Sequence, residues 1–182
     1  MNKKLILLLF SSFLLIAFIE PVQAKSCYDS EKPPIPASLK FRDVILKEHQ
    51  IKIKIPENYR FLKWDINRYN IVDQSAYDFI QCFLRKPEPT ELDPRGVELE
   101  IVTNLEVFYN LIKESDVKIF ETKIKNHRAL IWKSQRMYNI GYIAIQSPDQ
   151  SKFVIFSTML DENDKTSLEG LIVILTETLV FL

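Results

Sequence analysis

The chain has 182 residues, and its 24 Lys and Arg side chains balance 24 Asp and Glu side chains. This balance excludes the large basic excess on which strong nucleic-acid binding depends. Hydrophobic residues make up 47% of the chain and charged residues 26%, which are ordinary globular values and exclude wholesale disorder. With three glycines in total, the chain cannot form a glycine-rich phosphate-binding loop.

The first residues have the pattern of a secretory signal peptide. Two lysines precede an almost unbroken apolar run, Leu5–Ile19, and Pro21 and Val22–Ala24 then supply a helix breaker and a cleavage site. The alternative is an uncleaved membrane anchor, but the run is shorter than the roughly 20 residues that span a bilayer, and Glu20 ends it. We therefore predict a signal peptide over residues 1–24, a periplasmic or secreted protein, and no membrane span after cleavage.

The only two cysteines, Cys27 and Cys82, are predicted to form a disulfide, because paired cysteines are typical of exported proteins. Closing a loop of about 55 residues would contribute roughly 4 kcal/mol in the chain-entropy model. The alternative is two free thiols, with Cys82 as a small buried hydrophobic residue.

The mature chain divides into an extended leader and one domain. Pro33, Pro34 and Pro36 disfavour a helix in residues 25–40. The domain is predicted to span residues 41–182.

The first half of this domain is predicted to be mainly strands. Gln50–Ile55 alternates apolar and basic residues, and Tyr59–Trp64 follows a turn as its return strand. Ser75–Leu84 fits either a strand or a short helix, and its aromatic content favours a strand. A proline-containing loop, Arg85–Gly96, precedes another alternating strand, Val97–Ile101.

The second half combines two helices with a run of strands. A capping box at Thr103–Glu106 predicts a short amphipathic helix, and another at Thr166–Glu169 predicts a C-terminal helix. Four strands are predicted between them: Val117–Ile124, Arg128–Gln135, Tyr138–Gln146 and Lys152–Leu160. A short strand or tail, Thr178–Leu182, closes an α+β domain.

Four segments carry a resemblance to a known family: IKIKIPENYRF, VELEIVTNLEVFYNLI, KIKNHRALIW and KTSLEGLIVILTETLVF. Their order resembles the PsbP-like fold, shared by the PsbP proteins of photosystem II and the bacterial DcrB-like envelope proteins. The resemblance implies a single-domain antiparallel sheet with a short central helix and a C-terminal helix packed on it. It also implies an accessory or binding role rather than catalysis. The scarce glycines, the acidic loop and the missing lipobox depart from that family.

A negative surface is the candidate binding site for another protein, and its charge suits a basic partner. Its five side chains are Glu88, Glu91 and Asp93 in the proline-containing loop, and Glu98 and Glu100 on the following strand. The alternative is that these charges are merely solvated. A binding site would then be sought on the sheet face around Tyr138 and Tyr142.

No catalytic, metal or cofactor site is predicted. His49 and His127 are far apart in sequence, and neither lies in a nucleophile or zinc motif. Asp161 and Asn163 resemble the start of a calcium loop, but Thr166 stands where that loop needs glycine.

The function predicted from these patterns is that of a non-catalytic, exported accessory or binding protein of the cell envelope, acting through protein–protein contacts. One alternative is a periplasmic immunity protein that neutralises an envelope-targeting toxin, for example a type VI secretion effector. The last alternative is a hydrolase with an unrecognised site. Gene context would separate the first two.

Overall fold

The structure is a computed structural model that describes Cys27, Pro33 and residues 35–85, 96–104, 106, 108–110, 117–134, 139–160, 170, 174–175 and 177–182. The chain forms two compact units, Met1–Ser30 and Glu31–Leu182. Of the first unit only Cys27 is described, and it is buried. Every helix and strand given below belongs to the second unit. The predicted signal peptide and the acidic part of the Arg85–Gly96 loop lie outside the described residues.

The described strands form two antiparallel sheets. The three-stranded sheet has the order β1-β2-β10, with β1 at Phe41–Leu46, β2 at Ile51–Pro56 and β10 at Val180–Phe181. The seven-stranded sheet has the order β3-β4-β5-β9-β8-β7-β6. Its strands are β3 (Arg60–Lys63), β4 (Arg68–Val72), β5 (Val97–Val102), β6 (Phe120–Ile124), β7 (His127–Ser134), β8 (Ile140–Gln146) and β9 (Phe153–Met159). With one complete described helix, α1 (Gln74–Arg85), this is an α+β domain.

The core lies between the two sheets. Ile51, Ile53 and Ile55 of β2 are at most 1% exposed, because alternate residues of a strand point to one face. They belong to the same cluster as Leu99 and Ile101 of β5, which have an equally regular alternation. The two predicted strands with the clearest period of two are therefore confirmed. The other large members of this cluster are Leu46, Tyr69, Ile71, Ile124, Ile143, Ile145, Phe156, Leu175 and Leu179.

The predicted hairpin between Gln50–Ile55 and Tyr59–Trp64 is wrong. The second segment does form a strand, β3, but β3 pairs with β4. Both sides of β2 are occupied, by β1 and by β10. The turn closed by the hydrogen bond from Tyr59 N to Pro56 O (3.0 Å) therefore carries the chain from one sheet into the other.

The prediction of a strand at Ser75–Leu84 is also wrong, because this segment lies in helix α1. Asp73 caps the helix, because its Oδ1 accepts a hydrogen bond from Ala76 N at 2.8 Å. The buried apolar residues recur at helical spacing rather than alternately. They are Ala76, Phe79, Ile80 and Phe83.

Asp73 and Asn58 also hold the described end of the leader. Ile35 N donates to Asp73 Oδ2 at 2.8 Å, and Ser38 N donates to Asn58 Oδ1 at 2.8 Å. Asn58 Nδ2 in turn donates to the carbonyl oxygen of Pro36 at 2.8 Å. Residues 35–40 have no helix or strand of their own, so these bonds fix their course.

The rest of the domain follows the predicted order. The four strands predicted in succession are β6 to β9, and they pair as β6-β7-β8-β9. Helical residues occur at 106 and 108–110 and again at 170, 174–175 and 177–178, within the two predicted helices. The short terminal strand is β10. β1 and β4 were not predicted, because β1 is largely exposed and β4 follows an irregular segment.

Candidate functional site

The seven-stranded sheet has an inner face, toward the core, and an outer face that two helical segments partly cover. Near the β3 edge, Ala76 and Ile80 of α1 pack on Val72. Toward β7 and β8, Phe108 packs in a second apolar cluster with Trp132 and its neighbours. The outer face therefore has apolar contacts at both ends.

A groove of about 200 Å³ opens on the outer face and crosses the neighbouring strands β4, β5, β9 and β8. We call it the acidic groove. Register places four of its polar side chains in one row, because Asn70 lies opposite Glu98, Glu98 opposite Ser157, and Ser157 opposite Tyr142. The lining residues are Asn70, Glu98, Glu100, Ile140, Tyr142, Ile155, Ser157, Thr158 and Met159.

Two half-buried carboxylates make the groove negative. Glu98 and Glu100 are two residues apart on β5 and face the same side. Burial raises the pKa of Glu100, and the charge of Glu98 raises it further, while Arg68 partly opposes both effects. Arg68 lies opposite Glu100 in the register, but its Nε pairs with Asp65 Oδ2 at 2.6 Å.

Aromatic rings lie beside these carboxylates. The ring of Tyr142 stacks on Trp132, with centroids 4.9 Å apart and planes 2° from parallel. Burial raises the pKa of Tyr142, and the charges of Glu98 and Glu100 add to this effect. On β4, the Asn70 amide satisfies its neighbours when its oxygen and nitrogen are exchanged, because its oxygen then accepts a hydrogen bond from Trp64 Nε1 at 2.9 Å.

The structure places part of the predicted surface in this groove. Glu98 and Glu100 line it together with Tyr142, which the sequence suggested only as an alternative centre. Glu88, Glu91, Asp93 and Tyr138 lie outside the described residues. Sequence reasoning missed Asn70 and Ser157, because they join the site only through strand register.

Cys27 and Cys82 are both disulfide-bonded, which confirms the predicted disulfide. Cys82 lies on α1 and is half-buried. The two cysteines are the only ones in the chain, so a single bond uses both.

A second group of titratable side chains has a structural role near the β3–β4 hairpin. Tyr69 is buried, and its hydroxyl donates to Glu48 Oε1 at 3.2 Å. Burial, followed by the hydrogen bond to Glu48, raises the pKa of Tyr69 to about 12. His49 Nε2 lies 2.9 Å from the carbonyl oxygen of Ile66, which ties the turn after β1 to this hairpin.

The described part of the chain holds no cluster of three or more His, Cys, Asp or Glu side chains arranged to bind a metal ion. Among the helices that the structure describes, none has the length and apolar character needed to cross a membrane.

No family model matches this sequence, and no curated protein matches it. The solved structure of the Saccharomyces cerevisiae Ran-binding protein Mog1p, at 1.9 Å resolution, is similar over 79% of this chain and 96% of that chain, with 9% identity and a TM-score of 0.44. A mutant of the protein Mog1 is similar over 72% of this chain and 84% of that chain, with 9% identity and a TM-score of 0.39. Likenesses this distant carry no argument about function, and the PsbP-like resemblance stays a prediction.

Replacing Glu100 with glutamine should stabilise the domain at pH 7. Because folding raises the pKa of Glu100, its ionised form is disfavoured in the folded state, and the wild-type protein loses stability as the pH rises through that pKa. We expect a gain below about 1 kcal/mol, since the site is partly solvated. Urea unfolding from pH 3 to pH 8 should show the gain at neutral pH and its disappearance in acid. An equal gain at every pH would contradict this prediction.

Proposed function

We propose that this protein is an exported, non-catalytic binding protein whose acidic groove receives a basic side chain of a protein partner. One observation carries the proposal: Glu98 and Glu100 line the groove and are half-buried, and no described basic group lies within ion-pair distance of either. The charge of Glu100 costs stability in the free protein, because burial disfavours its charged form. A cation that enters the groove would offset that cost.

The neighbouring side chains also suit a basic side chain as the ligand. Tyr142 offers an aromatic ring beside the carboxylates, and cations bind favourably over such rings. Ser157 and Asn70 add polar groups on either side of Glu98 in the same row. A lysine or arginine side chain would therefore meet negative charge, an aromatic ring and hydrogen-bonding groups together.

Two features support export as part of the proposal. The apolar segment Leu5–Ile19 has the composition of a signal peptide, and the Cys27–Cys82 disulfide suits an oxidising compartment. The resemblance to PsbP and DcrB-like proteins supports an accessory role in the envelope. An immunity role would use the same groove against a basic toxin, and a neighbouring toxin gene would favour it. Nothing in the described residues favours the hydrolase alternative.

Replacing both Glu98 and Glu100 with glutamine should weaken binding of a short lysine-rich peptide about tenfold, or about 1.4 kcal/mol. The two carboxylates supply the negative charge of the groove, so binding should also weaken at high salt. Tryptophan fluorescence is a suitable readout, because Trp132 stacks on Tyr142. A glutamate-rich peptide of equal length should cause no saturable change.

The matched control is Glu57→Gln, which removes one negative charge at an exposed turn. This variant should bind the lysine-rich peptide as the wild-type protein does. If the double variant folds and binds that peptide with unchanged affinity, the acidic groove is not the binding site.

A further inference from the structure

A second groove, larger than the acidic groove, lies at another part of the outer face. Its volume is about 520 Å³, and it lies where the β6–β7 and β8–β9 turns meet the helical segment that carries Tyr109. Asn126 belongs to the first turn and Gln150 to the second, and both have left-handed backbone, with φ of 67° and 58°. We call it the amide groove, because Asn126, Gln146 and Gln150 all line it.

Gln146 distinguishes the amide groove from an ordinary surface depression. It is 8% exposed, yet its side-chain amide has no hydrogen-bond partner among the residues that the structure describes. Burying an amide without a partner is costly, since the group loses its hydrogen bonds to water. No described side-chain nitrogen or oxygen is both sealed from solvent and unpaired, so the Gln146 amide must open into the groove.

Tyr109 presents a second group to the same space. Its hydroxyl oxygen accepts a hydrogen bond from Arg128 Nη1 at 2.7 Å. The hydroxyl proton is therefore directed away from Arg128 and has no acceptor among the described residues. Tyr109 can donate one hydrogen bond to a ligand in the groove.

The charge of Arg128 is already neutralised. Its Nε and Nη2 donate to the two carboxylate oxygens of Glu121, at 2.8 and 3.0 Å. A bidentate pair of this kind leaves little attraction for an anionic ligand, and an anion would also be repelled by Glu121. The groups that remain for a ligand are mainly three carboxamides and a phenol, which carry no charge, and the ring of His127 lines the groove beside them.

We propose that the amide groove binds a neutral saccharide. A sugar hydroxyl both donates and accepts hydrogen bonds, and a carboxamide offers two donors and one acceptor group, so the two are complementary. The groove holds several such groups around the buried Gln146, which matches a ligand with many hydroxyls. This inference rests on Gln146 and Tyr109, and it does not depend on the acidic groove.

The test is a titration of the full mature protein. Binding is monitored through the side-chain amide signals of Asn126, Gln146 and Gln150 in ¹H–¹⁵N NMR spectra. The probes are neutral trisaccharides of glucose and of N-acetylglucosamine, with inorganic phosphate and trialanine as comparison ligands. We expect at least one trisaccharide to shift these signals saturably at millimolar concentration, and the comparison ligands to leave them unchanged.

Gln146→Leu should weaken that binding at least tenfold and should leave the urea midpoint little changed, because the amide opens into the groove and is not sealed from water in the free protein. A loss of binding at unchanged stability cannot come from misfolding. Tyr109→Phe should weaken binding while leaving the Arg128–Glu121 pair intact. The control, Gln81→Leu, lies on α1 and should bind normally.

Three outcomes would overturn the proposal. The first is that neither trisaccharide shifts the three amides. The second is that Gln146→Leu binds the sugar as tightly as the wild-type protein. The third is that phosphate or trialanine binds this groove and the sugars do not, which would show that the ligand class is wrong.

Discussion

Replacing Cys82 with alanine should lower the free energy of unfolding by about 4 kcal/mol. The disulfide closes a loop of about 55 residues, and without it the unfolded chain gains the conformational freedom that the bond removes. Alanine is a good helix former, so the change should not itself disturb α1. Equilibrium urea unfolding of the oxidised wild-type and variant proteins measures the difference.

Two further variants test whether the loss of stability comes from the disulfide itself. Cys27→Ala should cost the same amount as Cys82→Ala, and the double variant should cost no more than either, because all three remove one interaction. Reductant should destabilise only the wild-type protein. A single variant within about 1 kcal/mol of the oxidised wild type would refute the predicted stabilisation.

Replacing Gly96 with alanine should cost at least about 2 kcal/mol. Gly96 has φ of 92°, a conformation that residues with a side chain rarely adopt. A Cβ atom there would also lie 2.4 Å from the carbonyl oxygen of Ile71 and 2.9 Å from Val72 Cγ1. The backbone of β4 would have to move. Thermal unfolding of the purified variant measures this cost.

The same substitution should also weaken peptide binding in the acidic groove. Gly96 directly precedes β5, the strand that carries Glu98 and Glu100, and its carbonyl oxygen accepts a hydrogen bond from Thr158 Oγ1 at 2.9 Å. Thr158 lines the groove. Displacement of Gly96 would therefore disturb the β5–β9 pairing on which the polar row depends.

Gly170→Ala is the matched control. This glycine is helical and exposed, and a Cβ atom there would meet nothing within 4 Å. Alanine favours helix over glycine by about 1 kcal/mol, so this variant should be slightly more stable than the wild-type protein. If both alanine variants changed stability alike, the close contact at Gly96 would not explain the result.

The strands with a clear period of two could be predicted because that pattern is local. Ile51, Ile53 and Ile55 alternate with lysines, and Leu99 and Ile101 alternate with glutamates, so each segment shows by itself which face is buried. The meander from β6 to β9 was predictable for a related reason, since successive antiparallel strands need only short turns between them.

The helix α1 shows how a local signal can be misread. Its aromatic residues favour a strand on propensity alone, and propensity is a weak guide. The helical spacing of Ala76, Phe79 and Phe83, preceded by the capping Asp73, was the stronger signal and was present in the sequence. The wrong prediction came from giving side-chain preference more weight than periodicity.

For the candidate site, the sequence by itself determined that Glu98 and Glu100 share one face of a strand and that two cysteines were available to pair. Only the tertiary structure decided that Asn70, Ser157 and Tyr142 join those carboxylates in one groove. The tertiary structure alone also decided that Gln146 opens into the amide groove. The reason is that residues far apart in the sequence, such as Glu98 and Ser157, become neighbours through the order and register of paired strands. Packing of the whole core sets that register, and no local pattern encodes it.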